Sequence, residues 1–426
     1  MWKIYFRQAI QMLRQNSFIS TISILGTAVA IMMIMAIIVS DEIKSVNLAP
    51  EINRSRTLYI STQSLKDTVK NSVQNGWLTY ETIHNYIPRL TRPVKKAIVS
   101  AESESKLAVL NVEGSQVFIN ATQRITNADY WDVFKFNFTE GRPYNEDEVF
   151  SGIRYAILAQ SLAQRLFPGT TALNQTIEIN FQPYTVLGVV KDIQPIFNHA
   201  YSEVWLPYTS DEDYKNWRFE ALLLGNHEDD FPGIISEVRE CEKQYGRGHQ
   251  SWMLSLRGPA NRKVYNMNFS RNYGYSAGEV AQMIKANNRK RVFILCVLLL
   301  IPAINLSGLS MSRIKKRTSE IGVRKAFGAK RYVILLQVLY ENFITSLIGG
   351  LIGLILSYAV VFRMREWLLG IPGDSSIPIG ALVSPLVFLI VFLACMIINL
   401  LSAGVPAFRA SRTTIINSLN QNEKKS

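Results

Sequence analysis

The chain has 426 residues, 48% of them hydrophobic, and a formal net charge of +13. That length admits more than one domain, and that charge would suit nucleic acid if it were spread over a folded surface. It is confined instead to three short segments, which removes nucleic acid as a partner and makes the charge a topology signal.

Residues 1–17 predict an amphipathic helix: Trp2, Tyr5, Phe6, Ala9, Ile10 and Leu13 recur at spacings of three and four, opposite Lys3, Arg7 and Arg14. Such a helix suits the inner membrane interface, unless it simply extends the first span. Residues 18–39 hold no charge and are long enough to cross a bilayer, which takes about 20 residues of helix. This apolar run exceeds a signal-peptide core and no A-x-A-like site follows it, so an uncleaved anchor is expected.

Residues 41–285 predict an α+β domain outside the membrane. Strand patterns at 57–62, 94–101 and 106–112 flank a helix pattern at 78–86, which Pro88 should end. The same order returns as a strand at 219–225, a helix at 232–245 opened by Pro232, and a strand at 250–256. Between them, 113–214 is expected to be a mostly β insertion, with strands at 115–121, 154–159, 176–180, 184–190 and 203–206. Residues 260–288 have weak helical periodicity and read as a stalk. Further spans are expected at 292–312, 333–362 and 381–404, separated by an inner loop at 313–332 and a short outer loop at 363–380. A tail at 405–426 closes the chain.

Residues 1–17 carry +3, the loop 313–332 carries +7, and the tail carries +3, which is the whole excess. Four spans put all three segments on one side, and the positive-inside rule makes that side the cytoplasm. Only Cys241 of the three cysteines falls in the outer segment, so that domain holds no internal disulfide and must be stable from its own core.

The search for catalytic chemistry finds none. There is no G-x-x-x-x-G-K-[ST] loop, and the run from Gly322 to Lys330 has the wrong spacing and lacks the following Ser or Thr. His84, His199, His227 and His249 are scattered without metal-ligand spacing. In the inner loop, Ser319 can cap a short helix whose first turn holds Glu320, with Arg324 and Lys325 near its end and Gly328 as a left-handed stop. A helix of about nine residues does not persist alone in water, so it needs a docking partner. In the third span, Gly349 and Gly353 form a G-x-x-x-G that permits close approach, either within the subunit or at a dimer seam. Glu341 suits an ion pair near the inner interface.

The run from Arg317 to Ala329, with Glu320, Ile321, Gly322, Arg324, Lys325, Ala326 and Gly328 at its centre, resembles the coupling-helix motif of FtsX-like permeases of the MacB-type ABC transporter family. Gln337 to Glu341, Gly349 to Gly353 and Asn305 continue the resemblance through the spans. Glu140 to Pro143, Leu162 to Phe167 and Tyr184 to Asp192 extend it into the outer segment.

The resemblance implies four transmembrane helices and a large α+β extracytoplasmic domain. That domain would comprise a porter-like lobe at 41–112 and 215–285 and a sabre-like insertion at 113–214. It implies a dimer, with itself or a related permease, and a separate cytoplasmic ABC ATPase that binds ATP and Mg, leaving this chain non-catalytic and without cofactor or metal of its own. The expected role is mechanotransmission in the inner membrane, with both termini cytoplasmic. It would serve efflux or extraction of a peptide, lipoprotein or amphiphile, in contact with the bilayer and with a periplasmic adaptor or envelope protein. The alternative implied role is an FtsX-like signalling or scaffold subunit that regulates an envelope enzyme without transport.

Overall fold

The computed structural model describes residues 17–42, 47–101, 103–110, 116–211, 214–249, 251–267, 277–316, 330–364 and 385–412, with 11, 15, 323 and 326–328 singly. The chain divides into two compact units, one built on Lys44–Ala281 and the other on Met1–Ile43, Gln282–Leu369 and Gly373–Ser426.

The second of these units is helical. Helices Ser17–Glu42, Arg331–Arg363 and Pro385–Arg412 contain stretches long and apolar enough to cross a membrane, at Ser17–Ser40, Tyr332–Arg363 and Pro385–Gly404. In such a solvent every backbone N–H and C=O must be satisfied within the segment, which is why these stretches are helical from end to end. Helix Arg331–Arg363 is the central one and packs along both Ser17–Glu42 and Pro385–Arg412. The expected span 292–312 lies inside the 40-residue helix Ala277–Lys316, which starts ahead of the apolar run. Most of the interfacial segment 1–17, the outer loop 363–380 and the end of the tail lie outside the described residues.

The other unit carries fourteen strands among the described residues. They are β1 Thr57–Ile60, β2 Thr62–Asp67, β3 Val73–Trp77, β4 Lys95–Ser100, β5 Ser103–Leu110, β6 Gln116–Thr126 and β7 Phe138–Gly141. They continue with β8 Tyr155–Ala159, β9 Thr176–Ile179, β10 Gln182–Val190, β11 Val204–Pro207, β12 Phe219–Leu224, β13 Trp252–Arg257 and β14 Ala260–Asn261. Strands β11, β8, β10, β9, β5 and β6 are successive neighbours, and β6 pairs back onto β11, so these six close a ring. Closure removes the free edges that would otherwise invite pairing with another chain. From β6 the sheet runs on through β4, β12, β1 and β14, while β13, β2 and β3 form a separate sheet.

The ring corrects one expected boundary. A division between 112 and 113 would cut the β5–β6 hairpin, whose register runs from Ser103 opposite Gln123 to Leu110 opposite Gln116. Strand β5 also pairs β9, so it belongs with the inserted strands rather than with the flanking lobe. The helix expected at 78–86 forms from residue 80, with π-type hydrogen bonding at Thr82–Tyr86, but it does not end before Pro88: a 3-10 turn at Ile87–Arg89 carries it on. Pro88 takes an early position of that turn, where its missing N–H costs no hydrogen bond. The stalk expected at 260–288 is not one helix: it begins as β14 and the short helix Arg262–Tyr265, and the long helix starts only at Ala277.

Helix Phe231–Gly248 forms as the sequence predicts, with Pro232 in its first turn. Phe231, Ile234, Val238, Cys241 and Tyr245 make one buried face at spacings of three and four, which packs against β13. The core beside the ring is aromatic. Trp131 meets Tyr130, Phe136 and Tyr144 edge-on, and the buried Trp205 of β11 donates its indole N–H to Tyr130 Oη at 3.1 Å. Such edge-to-face pairs add to area burial, and the indole N–H is satisfied, as a buried donor must be.

Candidate functional site

Two groups of residues stand out, one in each unit. In the membrane helices, Gly349 and Gly353 lie against the first helix. A Cβ on Gly349 would sit 2.9 Å from both the Ile24 carbonyl oxygen and Thr27 Cβ; one on Gly353 would sit 3.0 Å from the Ala28 oxygen and 3.1 Å from Ile31 Cβ. The G-x-x-x-G therefore serves a contact within the subunit, and close approach of two backbones is its physical purpose.

Polar side chains collect in the same bundle. Glu341 is 5% exposed, and Asn342, Thr345 and Ser346 beside it are also buried. Thr345 Oγ1 donates to the Glu341 carbonyl at 2.8 Å, and Asn342 Nδ2 to that of Val338 at 2.8 Å. Asn399 of the last helix donates to Ser346 Oγ at 3.2 Å, a side-chain bond that joins two of these helices. An ionisable side chain buried in an apolar bundle is costly and marks a working position by default.

Of the remaining residues singled out in the sequence, Glu320, Ile321, Gly322, Arg324 and Lys325 lie outside the described residues, as does the side chain of Asn305. Ala326 is helical and exposed, and Phe327 donates its N–H to the Val323 carbonyl at 3.1 Å. Gly328 has φ +87°, the left-handed conformation its place after a helical turn calls for.

The second group was not legible in the sequence. Glu51 is 1% exposed and accepts from Arg54 Nε at 2.6 Å, while Arg262 Nη2 lies 3.3 Å from the same carboxylate oxygen. Its other oxygen takes the His199 backbone N–H at 3.1 Å. Arg262 Nη1 lies 2.9 Å from His199 Nδ1, and since a guanidinium only donates, Nδ1 is the acceptor. The proton is then on Nε2, which donates to Glu220 Oε2 at 3.0 Å. Tyr265 Oη donates to the same Glu220 oxygen at 3.1 Å, and the Arg262 guanidinium lies 5.3 Å from the centre of the Tyr59 ring. The hub thus joins residues that follow the first span (Glu51, Arg54) to residues that precede the next long helix (Arg262, Tyr265).

Burial alone would raise the Glu51 carboxyl, but the pull of Arg262 and Arg54 outweighs it and holds the group at about 2. Burial lowers His199, against the hydrogen bond it gives to Glu220, so the imidazole is neutral and its contact with Glu220 is a hydrogen bond rather than an ion pair. Both shifts act in one direction. On acidification the unfolded chain takes up protons that the folded hub refuses, so stability falls as pH drops. Through His199 the loss should begin as pH falls through the ordinary histidine value of 6.5. Through Glu51 it should reach about 3 kcal/mol between pH 4.5 and 2. Thermal melts of the full chain followed by near-ultraviolet circular dichroism should show a monotonic decline over that range, and a pH-independent melting temperature would contradict the assignment.

Apolar helices able to cross a membrane, joined to one large α+β domain with its own core, define a membrane protein that carries a folded domain outside the bilayer. The chain belongs to the ABC transporter permeases of the MacB and FtsX type: residues 20–238 match the MacB-like periplasmic core domain and residues 292–415 the FtsX-like permease C-terminal region.

Among curated proteins it is similar to the uncharacterized ABC transporter permease YknZ of Bacillus subtilis, at 26% identity over 64% of this chain and 65% of that one. It is also similar to the macrolide export ATP-binding/permease protein MacB of Escherichia coli, at 24% identity over 97% of this chain and 60% of that one. The chain thus spans less than two thirds of the length of either relative. Among solved structures it matches the extracellular domain of the ABC-type transporter YknZ from Gram-positive bacteria, at 21% identity and a TM-score of 0.35, over 46% of this chain and all of that one. It also matches the periplasmic region of MacB from Actinobacillus actinomycetemcomitans, at 16% identity and a TM-score of 0.34, over 50% of this chain and 94% of that one.

Proposed function

We propose that the chain is the transmembrane subunit of an ATP-driven complex that moves its outer domain, with hydrolysis supplied by a cytoplasmic ABC ATPase. Residues 292–312 supply a fourth span, which places residues 1–17, 313–332 and 405–426 in the cytoplasm. The subunit works as a dimer. The helix from Glu320 to Gly328 docks on the ATPase, and its contacts differ between nucleotide states, without which nothing would shift. The flanking strands and the six-stranded ring act as the porter-like and sabre-like lobes, on a peptide, lipoprotein or amphiphile already outside the membrane.

The observation that carries this reading is the buried hub. It ties Glu51 and Arg54, which follow the first span in the chain, to Arg262 and Tyr265, which precede the next long helix, within the outer unit. No Gly/Ser-rich run stands on either side of it in the sequence, and such a run would absorb displacement of a span.

Reconstitution with the partner ATPase tests the reading. The permease should stimulate hydrolysis, and Gly322→Leu or Arg324→Glu should remove about nine tenths of the stimulation, roughly 1.4 kcal/mol of coupling. Full stimulation by both variants would end the coupling assignment.

A further inference from the structure

A cavity of about 600 Å³ opens within the outer unit, and five of the ring's six strands contribute to its lining. The mouth of a small barrel is a recurrent place for a ligand, and this volume suits a small molecule. Its lining holds an unexplained feature. Gln123 of β6 is fully buried, and Ser105 Oγ engages its Oε1, yet its Nε2 has no partner among the described residues. Turning the amide over changes only which atom is orphaned, because a serine hydroxyl accepts as readily as it donates. Ser103 Oγ, on the facing strand position of β5, is likewise buried and unpaired. Buried polar atoms without partners are costly, so these two call for an occupant.

The rest of the lining selects its chemistry. Trp217 is half-buried and gives its indole N–H to Asp211 Oδ2 at 3.2 Å, which fixes the ring as a wall. Asp211 and Arg218 both line the cavity with opposite charge, so neither an anion nor a cation finds an excess to pair with. Asn180, Gln182 and Asn216 add amides, each able to donate and accept. A lipid tail would leave Gln123 Nε2 and Ser103 Oγ unpaired. A hydroxyl both donates and accepts, so a polyhydroxylated ring satisfies Gln123 in either orientation while its C–H face lies on the indole.

We propose that this cavity binds a neutral mono- or disaccharide, with sugar hydroxyls on Gln123 and Ser103 and the ring against Trp217. The test is calorimetric titration of the full chain in nanodiscs with N-acetylglucosamine, its β-1,4-linked disaccharide and maltose, and with trialanine as a peptide probe. At least one sugar should bind saturably. Trp217→Ala should weaken binding by about tenfold, the scale of losing one packed aromatic contact. Asn216→Ala, at an exposed position, is the second variant and should also weaken binding with the melting temperature unchanged. No saturable sugar binding, sugar binding indifferent to both variants, or saturation by trialanine in place of the sugars would overturn the proposal. None of these outcomes bears on ATPase coupling, which is read by hydrolysis.

Discussion

Replacing Glu51 with alanine is expected to destabilise the outer unit by about 3–5 kcal/mol, the cost of removing one partner from a buried ion pair. The carboxylate holds two guanidiniums, Arg54 at 2.6 Å and Arg262 at 3.3 Å, whose side chains are 0% and 6% exposed. Without it both positive charges stay buried, and the His199 backbone N–H loses its acceptor. Arg262 retains His199 Nδ1 and the Tyr59 and Tyr265 rings, and Arg54 retains its packing over Phe197. A second substitution follows from this. Arg54→Met in the Glu51→Ala background should recover part of the loss, because it removes one of the two uncompensated charges. Chemical denaturation of the full chain in detergent, read from the near-ultraviolet signal of the Trp131 and Trp205 cluster, measures both. A Glu51→Ala protein that unfolds with the wild type would show that the hub contributes nothing. A double variant weaker than the single one would show that Arg54 acts through packing on Phe197 instead.

That hub also marks the limit of what the sequence displays. Strands at 154–159, 184–190 and 219–225 could be read because alternation and turn residues are local signals, and helix Phe231–Gly248 could be read from its apolar spacing and Pro232. Glu51, His199, Glu220 and Arg262 share no period and lie far apart in the chain. Only the Glu51–Arg54 spacing of three leaves a trace, and an acid three residues before a base is commonplace on exposed surface. Strand β5 shows a different failure: its pattern was legible, but its partners were not, and partners decide the lobe to which a strand belongs. The orphaned amide of Gln123 was invisible for the same reason, since an unpaired group is defined by what fails to reach it in space.

The glycines of the third span lie between these cases. Their spacing of four announced a close helix contact but named no partner. The structure supplies it, and a large effect should follow. Gly349→Leu with Gly353→Leu is expected to force Ser17–Glu42 away from Arg331–Arg363, at about 1–3 kcal/mol per site. The obstacles are backbone carbonyls of Ile24 and Ala28 and the β-carbons of Thr27 and Ile31, none of which can swing aside. Gly350 is the internal control. The three atoms nearest a Cβ there all belong to the ring of Phe392, the far end of a side chain that can rotate, so Gly350→Ala should cost distinctly less. Thermal stability of the detergent-solubilised chain separates the outcomes. If the double variant melts with the wild type, the glycines do not seat the first helix, and their spacing serves a contact with another chain. If it melts lower but still stimulates the ATPase fully, the first and third helices need not move as one body. Loss of both would place the seam on the route by which the inner loop reaches the first span.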